Sequence, residues 1–273
     1  MRKKVALVTG ASSGIGEATA IALQNSGYQV YAAARRTDRM EHLKQLGIKT
    51  IRLDVTEEDS MKAVVGQIKK EEKMVDVLIN NAGYGSYGAL EDVPMSEARR
   101  QIEVNVFGLA RLTQLVVPDM RKARSGTIIN ISSIGGKLGE SFGVWYHTAK
   151  YAVEGFTDSL ALELAPFNVK VVAVEPGAIK TEWSSIAADN LIKTSGNGNY
   201  AVKANKKAEG MKKFNEISLA SPPEVVANGI VKILKKKHPK FRYPIGGGAR
   251  PLMFIRKITS DRVFYKLLNN FLG

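Results

Sequence analysis

From residue 5 to about residue 180 the chain alternates short apolar, β-branched runs with longer stretches of helical periodicity. The runs Val5–Val8, Gln29–Ala33, Thr50–Leu53, Val75–Asn80, Thr127–Ile131 and Val169–Val174 lack polar alternation, which marks strands buried on both faces. Helical patterns fall between them near 14–26, 38–46, 57–73, 95–124 and 143–165. Repeated strand–helix units require right-handed crossovers. The expected fold is therefore α/β, a Rossmann-type doubly wound parallel sheet with helices on both faces. Ligands of such sheets bind beyond the carboxyl ends of the strands, so the polar residues there are the first candidates for function.

Beyond Pro176-Gly177 the periodicity weakens, and residues 182–220 read as a polar, glycine- and lysine-containing lid over the strand ends. A helix restarts at Ser221-Pro222-Pro223-Glu224, where Ser221 can cap and Glu224 completes a capping box, and runs to about Lys237. A short strand at Phe241–Tyr243 follows. A basic C-terminal extension, about 239–273, then carries Phe254, Ile258, Phe264, Leu267, Leu268 and Phe271 at amphipathic spacing. With no linker and no internal repeat, residues 1–273 are expected to form a single catalytic domain.

The charge is divided unevenly. Residues 1–192 hold 23 basic and 22 acidic side chains, and residues 193–273 hold 17 and 4. A solvated basic face, attraction of an anionic substrate and peripheral contact with an anionic membrane all fit that surplus. No nucleic-acid-binding motif surrounds Lys235-Lys236-Lys237, so nucleic acid is not an expected partner. The absence of cysteine excludes a disulfide framework, a thiolate nucleophile, a zinc finger and an iron–sulfur cluster. Three scattered histidines (His42, His147, His238) give no reason to expect a metal. The Met1-Arg2-Lys3-Lys4 start reads as the approach to a first strand, because the apolar run stops at Thr9-Gly10 with no cleavage signal after it. No window approaches the roughly 18 consecutive apolar residues of a membrane span, and a cytoplasmic protein is expected.

Directly after the first strand stands Thr9-Gly10-Ala11-Ser12-Ser13-Gly14-Ile15-Gly16, opening a helix. Glycines here let the backbone turn and approach a pyrophosphate, to which the helix N-terminus offers free N–H groups. Gly10, Ser12, Ser13, Gly14, Ile15 and Gly16 are thus candidate cofactor contacts. The turn lacks the Gly-Lys-Ser/Thr ending of an ATP-binding loop. At the end of the second strand, where NAD enzymes place a carboxylate for the ribose hydroxyls, the chain has Arg35-Arg36. A guanidinium suits a 2′-phosphate, so NADP(H) is the expected cofactor, held chiefly by Arg35 and secondarily by Arg36.

Tyr146 and Lys150 stand four apart near the start of a helix and share one face. A neighbouring ammonium and a cationic oxidised nicotinamide both favour phenolate, which makes a tyrosine a usable acid–base group. Ser132 and Ser133 follow the strand Thr127–Ile131. They would point to opposite sides of a continued strand, so one of them faces the site and can hydrogen-bond a carbonyl. Asn80-Asn81-Ala82-Gly83 ends the fourth strand, and Asn105 interrupts a helix that would favour another residue.

With Thr-Gly-xxx-Gly-x-Gly, Asn-Asn-Ala-Gly, the serine, Tyr-xxx-Lys and Pro-Gly in this order, the chain resembles the short-chain dehydrogenase/reductase family over about residues 1–181. The resemblance implies that Tyr146 is the general acid in carbonyl reduction, that Lys150 holds the nicotinamide ribose and lowers the tyrosine's pKa, and that Ser133 orients the carbonyl. It implies that Asn105 keeps a proton-relay water. Asp54 and Val55 would contact the adenine, Asn81, Ala82 and Gly83 would flank the adenosine, and Pro176, Gly177, Ile179 and Thr181 would embrace the nicotinamide amide. Members commonly pair as homodimers or homotetramers through the helices near 104–124 and 143–165.

The Gly83–Gly88 loop, Ala165-Pro166-Phe167 and the tail resemble more softly the 17-beta-hydroxysteroid dehydrogenase-like branch, which includes acyl-dihydroxyacetone-phosphate reductases and retinol-type dehydrogenases. Trp183, Ile186, Leu191 and Ile192 add apolar surface to the lid, so the expected substrate is a lipophilic, steroid-, retinoid- or acyl-lipid-like ketone or alcohol. The alternatives are a non-catalytic NADP(H)-binding sensor or scaffold and a basic membrane-surface adaptor.

Overall fold

A computed structural model describes residues 2–213 and 219–272, with side chains through residue 268. Met1, the 214–218 part of the expected lid and the Phe271 side chain lie outside the described residues. Seven parallel strands form one sheet: β1 (Val5–Thr9), β2 (Gln29–Ala34), β3 (Lys49–Arg52), β4 (Val77–Asn80), β5 (Gly126–Ile131), β6 (Val169–Pro176) and β7 (Arg242–Ile245). Their order across the sheet is β3-β2-β1-β4-β5-β6-β7. The chain reverses its direction of progress between β1 and β4, and the crevice for a dinucleotide opens at such a switch point.

Alternate residues of the apolar strands feed two cores. On one face Ala6, Val8, Val30, Ala32, Ile79, Ile129 and Val174 pack against α1 (Gly14–Asn25) and α9 (Pro223–Leu234). On the other face Val5, Leu7, Tyr31, Ala33, Leu78, Ile128 and Val171 meet α3 (Glu58–Glu72), α5 (Gly108–Ala123) and α6 (Val144–Leu164). The short α2 (Glu41–Gln45) contributes Leu43 to the first core. A buried polar chain pins the second face: Asn80 donates to Thr113 (3.0 Å) and to Asn130 (2.9 Å), and Asn130 donates to Thr157 (2.9 Å). It ties β4 and β5 to α5 and α6 just below their carboxyl ends.

The 95–124 pattern is not one helix. It divides into α4 (Met95–Ile102), a π-helical turn at Glu103–Phe107 and α5, with the Gly108 N–H reaching back to the Glu103 carbonyl. A wide turn of this kind marks functional positions in helices. The helix of 223–234 is also corrected: it is capped at Pro222, with no side-chain cap bond, and ends at Leu234. Ser221 instead serves the backbone, bridging Ile179 beyond β6. The 182–220 region is less irregular than its composition suggests. It contains α7 (Trp183–Ser195) and α8 (Ala201–Lys212), closed on each other through Ala187, Ala188, Leu191, Ala204 and Ala208. Two amphipathic helices, α10 (Ala249–Ile258) and α11 (Asp261–Leu272), complete the chain.

Candidate active site

The glycine turn has the backbone its sequence requires. Gly10 (φ 65°) and Gly14 (φ 58°) are left-handed, a conformation open to glycine at little cost. A Cβ on Gly16 would collide with the Gly10 carbonyl and the Asn81 amide. Ser13 is the extended N-cap of α1 and makes no side-chain cap bond, so its hydroxyl does not claim the helix's first N–H groups, among them those of Ile15 and Gly16. Thr9, part of the turn motif but given no role from sequence, fastens the turn to β4: its hydroxyl donates to the Ile79 carbonyl (3.3 Å) and accepts from the N–H groups of Asn81 (3.0 Å) and Ala82 (2.9 Å). Asn81 donates in return to the carbonyls of Thr9 (2.9 Å) and Gly10 (3.2 Å).

Beside the turn lies a cleft of about 390 Å³ lined by Arg35, Asp54, Thr56, Arg99, Arg100, Glu103 and Val104. Arg36 turns to the glycine loop, donating to the Ser12 hydroxyl (3.3 Å). Burial pulls the Asp54 carboxyl upward. Hydrogen bonds from the Thr56 N–H and hydroxyl, with the charges of Arg35 and Arg52, outweigh this and hold it below its ordinary range. Val55 packs into the core against Gly108, which leaves its neighbours Asp54 and Thr56 to the cleft. Arg99 and Arg100 escaped the sequence reading because α4 is brought beside Arg35 only by the fold.

These features fit a phosphorylated dinucleotide: a left-handed glycine turn at a helix N-terminus, with a cationic cleft at the end of β2 and β3. At the far end, the Gly177 N–H donates to the Ile245 carbonyl (2.9 Å), so Pro176-Gly177 is fixed against β7. Thr181 returns to the glycine turn, 3.1 Å from where a Gly14 Cβ would stand, and Ile179 is buried against Gly246. The expected nicotinamide-side residues thus meet the glycine turn beside the switch point.

The serine ambiguity is resolved by position. Ser133 hydrogen-bonds the Tyr146 phenol, and its hydroxyl accepts from the Gly135 N–H (3.0 Å). Ser132 points the other way, its hydroxyl buried and without a partner among the described residues. Tyr146 is 8% exposed, and burial pushes its phenol up to about 12, with the Ser133 hydrogen bond opposing and Glu140 adding to the rise. Lys150 is buried too, and burial pulls it down to about 8 against the charge of Glu154. Its ammonium donates to the Ile131 carbonyl (2.8 Å) and lies 5.9 Å from the Tyr146 ring centroid. Burial is thus the largest influence on both groups, raising the phenol and lowering the ammonium.

Asn105 occupies the centre of the π turn, but its side chain is spent on one backbone unit. It donates to the Tyr84 carbonyl (2.8 Å) and accepts from the Tyr84 N–H (3.0 Å), holding the loop after Gly83. His147, adjacent to Tyr146, is structural. It accepts from the Glu140 N–H at Nε2 (3.1 Å), so Nδ1 carries the proton donated to the Gly135 carbonyl (2.9 Å). Over Tyr146 close two aromatic rings, Trp183 at 5.0 Å and Tyr87 at 5.8 Å between centroids. Gly85 leaves room for the Trp183 ring, which would stand 2.5 Å from a Cβ there. Of the apolar lid residues, Trp183 reaches the site, Ile186 is exposed, and Leu191 and Ile192 are taken up by packing between α7 and α8. Tyr87 lies in the Gly83–Gly88 loop, whose sequence does not reveal that its ring reaches Tyr146.

Comparison with known proteins agrees with this geometry. The family profile of short chain dehydrogenases matches residues 4–190. A 3-ketodihydrosphingosine reductase of Bacteroides thetaiotaomicron is 38% identical over 247 residues, covering 90% of this chain and 89% of that protein. A crystal structure of a short-chain dehydrogenase from Streptomyces avermitilis superposes with a TM-score of 0.82 at 33% identity, over 98% of this chain and 95% of that one. A variant of actinorhodin polyketide ketoreductase, solved with NADPH, superposes with a TM-score of 0.75 at 28% identity, over 88% and 94% of the two chains.

Proposed function

The chain belongs to the short-chain dehydrogenase/reductase family, and from that premise we propose that it is an NADP(H)-dependent oxidoreductase interconverting a lipophilic ketone and its secondary alcohol. The observation that carries the reading is the buried Tyr146, hydrogen-bonded to Ser133 beneath the rings of Trp183 and Tyr87. Arg35, in a cleft that also holds Arg99 and Arg100, supports a preference for the 2′-phosphate, and the ketoreductase relative solved with NADPH supports it further.

Reduction of a carbonyl needs a hydride at carbon and a proton at oxygen. When bound, the dinucleotide supplies the hydride, or accepts it in the reverse direction. Ser133 donates to the substrate oxygen and stabilises the charge that develops there. Tyr146 gives its proton to that oxygen as general acid. Lys150 holds the nicotinamide ribose and, titrating near 8, can return a proton toward the phenol. Asn105 positions the loop after Gly83 and, within its π turn, the relay water. Gly10, Ser12, Ser13, Gly14, Ile15 and Gly16 receive the pyrophosphate, Asp54, Val55, Asn81, Ala82 and Gly83 the adenosine, and Pro176, Gly177, Ile179 and Thr181 the nicotinamide.

An aromatic cover over the reacting oxygen favours an apolar substrate, and the relative named for 3-ketodihydrosphingosine points toward acyl lipids among the steroid, retinoid and acyl-lipid classes. Residues 182–220 act as the lid of a single domain. Exposed Phe107 and Leu162 beside and on the α5–α6 pair support a homodimer or homotetramer. The location proposed is the cytoplasm, with the basic C-terminal segment in peripheral contact with anionic membranes. Among the described residues no helix is long and apolar enough to cross a membrane.

The test is NADPH oxidation with a panel of lipophilic ketones. Tyr146→Phe should lower turnover by about 10²–10⁴-fold while NADPH affinity is retained. Full turnover in that variant would overturn the mechanism. NADPH binding without turnover on any ketone would favour the non-catalytic sensor or scaffold.

A further inference from the structure

The last two helices hold the body by one face and leave the other outward. Inward, Phe264 and Leu268 of α11 pack on Leu138, with Leu252 and Met253 of α10 alongside. Arg256 donates to the Lys137 carbonyl (3.1 Å) and lies over the Phe264 ring (5.1 Å), and the Tyr265 hydroxyl accepts from the Gly139 N–H (3.1 Å). The tail is therefore clamped to the loop that follows Ser133, at the catalytic end of the sheet.

Outward, Phe254 and Ile258 are each 63% exposed, and Ile255, Val263 and Leu267 are exposed with them. Arg250, Lys257, Arg262 and Lys266 are exposed beside these side chains, at the i, i+4 and i, i+3 spacings that share a helix face. None of the four pairs with a carboxylate among the described residues. The carboxylate of Asp261 is taken by Arg256 (2.7 Å). Single exposed apolar residues are ordinary, but five on one pair of helices, edged by one sign of charge, mark a contact surface. Lys235, Lys236 and Lys237 are not part of it, since they follow α9 at the amino end of β7, whereas α10 and α11 follow its carboxyl end.

We propose that the outward faces of α10 and α11 dock the protein on an anionic phospholipid bilayer, the five apolar side chains entering the headgroup region and the four basic ones pairing with lipid phosphates. Apolar residues flanked by Lys and Arg are the pattern of helices that lie in a membrane interface. A second copy of this chain would bring like charges together, and a nucleic acid would leave the aliphatic side chains unused. Docking of this kind brings the loop that follows Ser133, and with it the catalytic end of the sheet, near the bilayer, the phase in which a lipophilic ketone resides. The inference deepens the reading above by naming the source of the substrate, and its test uses no turnover.

The full chain is sedimented with phosphatidylcholine vesicles, with and without phosphatidylglycerol, at low and high salt. Binding should require phosphatidylglycerol and weaken at least about tenfold at high salt. The double variant Arg262→Glu, Lys266→Glu should weaken it by more than about 25-fold. Phe254→Ser with Ile258→Ser should weaken it at least about tenfold at every salt concentration. These side chains are exposed, so an unchanged thermal midpoint certifies the fold, and Tyr146→Phe should bind as the wild type does. Absence of vesicle binding, equal binding without phosphatidylglycerol, or binding kept by both double variants would overturn the proposal. So would a dimer dissolved by the Phe254→Ser, Ile258→Ser pair, or retention on RNA in place of vesicles.

Discussion

Residues 5–176 and residues 249–268 treat apolar surface in opposite ways. In the first region Val5, Ala6, Leu7 and Val8 of β1 are wholly buried, as are Leu78 and Ile79 of β4 and Ile128 and Ile129 of β5. In the second, Phe254 and Ile258 stay mostly in solvent, and a small cluster of Leu138, Phe264 and Leu268 does the anchoring. The charge follows the same division, near balance before residue 193 and strongly basic after it. A sheet covered on both faces dictates its own packing, because every strand residue has a defined neighbour. A tail with one committed face leaves the other free for an external surface, and sequence alone does not say which residues fall on which.

The comparison is broken most severely at the glycine turn. Gly16→Ala places a methyl against the Gly10 carbonyl and the Asn81 amide, so something must move. A loss of about 2–3 kcal/mol in stability is expected, with cofactor affinity down more than about tenfold, read by thermal unfolding and NADPH titration. Wild-type stability in this variant would show that the turn is looser than its geometry.

Arg35→Ala tests whether the first region alone sets cofactor choice. Loss of a charge-assisted contact to the 2′-phosphate should lower the preference for NADPH over NADH by roughly 10–100-fold, measured as the ratio of the two kcat/KM values. An unchanged ratio would transfer the role to Arg99 and Arg100 across the cleft.

The smallest effect sharpens the seam between the regions. Arg242 of β7 donates to Glu154 (2.7 Å), bonds Asp158 and stands 3.7 Å from Glu175 at the end of β6. Burial, with the nearby charge of Glu154, pushes the Glu175 carboxyl from 4.5 up to about 7, against the opposing charges of Lys137 and Arg242. The folded state thus holds a proton that the unfolded state releases, and this contribution to stability is lost as pH rises from 4.5 through about 7. Glu175→Gln should flatten the pH dependence of the unfolding free energy across that window by up to about 1 kcal/mol. A slope identical to wild type would place the titration elsewhere.

Much of the site was legible because its residues sit at strand ends and at short, fixed spacings. Gly10, Gly14 and Gly16 announce their turn through context, and Tyr146 and Lys150 share a helix face by arithmetic. The role of Thr9 was hidden, although the residue opens the turn motif, because a threonine ending a buried strand is ordinary until Asn81 and Ala82 are brought to its hydroxyl. Tyr87, Trp183, Arg99 and Arg100 come from distant elements, so no local signal unites them with Tyr146 or Arg35. Asn105 was noticed as a poor helix former, but only the fold reveals a π turn there and a side chain held by Tyr84. The lid looked irregular because its lysines and glycines mask the alanine-rich seam between α7 and α8.

The sequence by itself determined the parallel sheet and the position of its crevice, and named the candidate residues around it, because strand and helix periods and the glycine turn are local constraints. Only the tertiary structure decided which of two serines faces the phenol, that Tyr146 and Lys150 are both buried, and that the basic residues of the last third divide between opposite ends of the sheet. Those outcomes depend on distance and desolvation between groups far apart in the chain, and neither quantity is written in the spacing of residues.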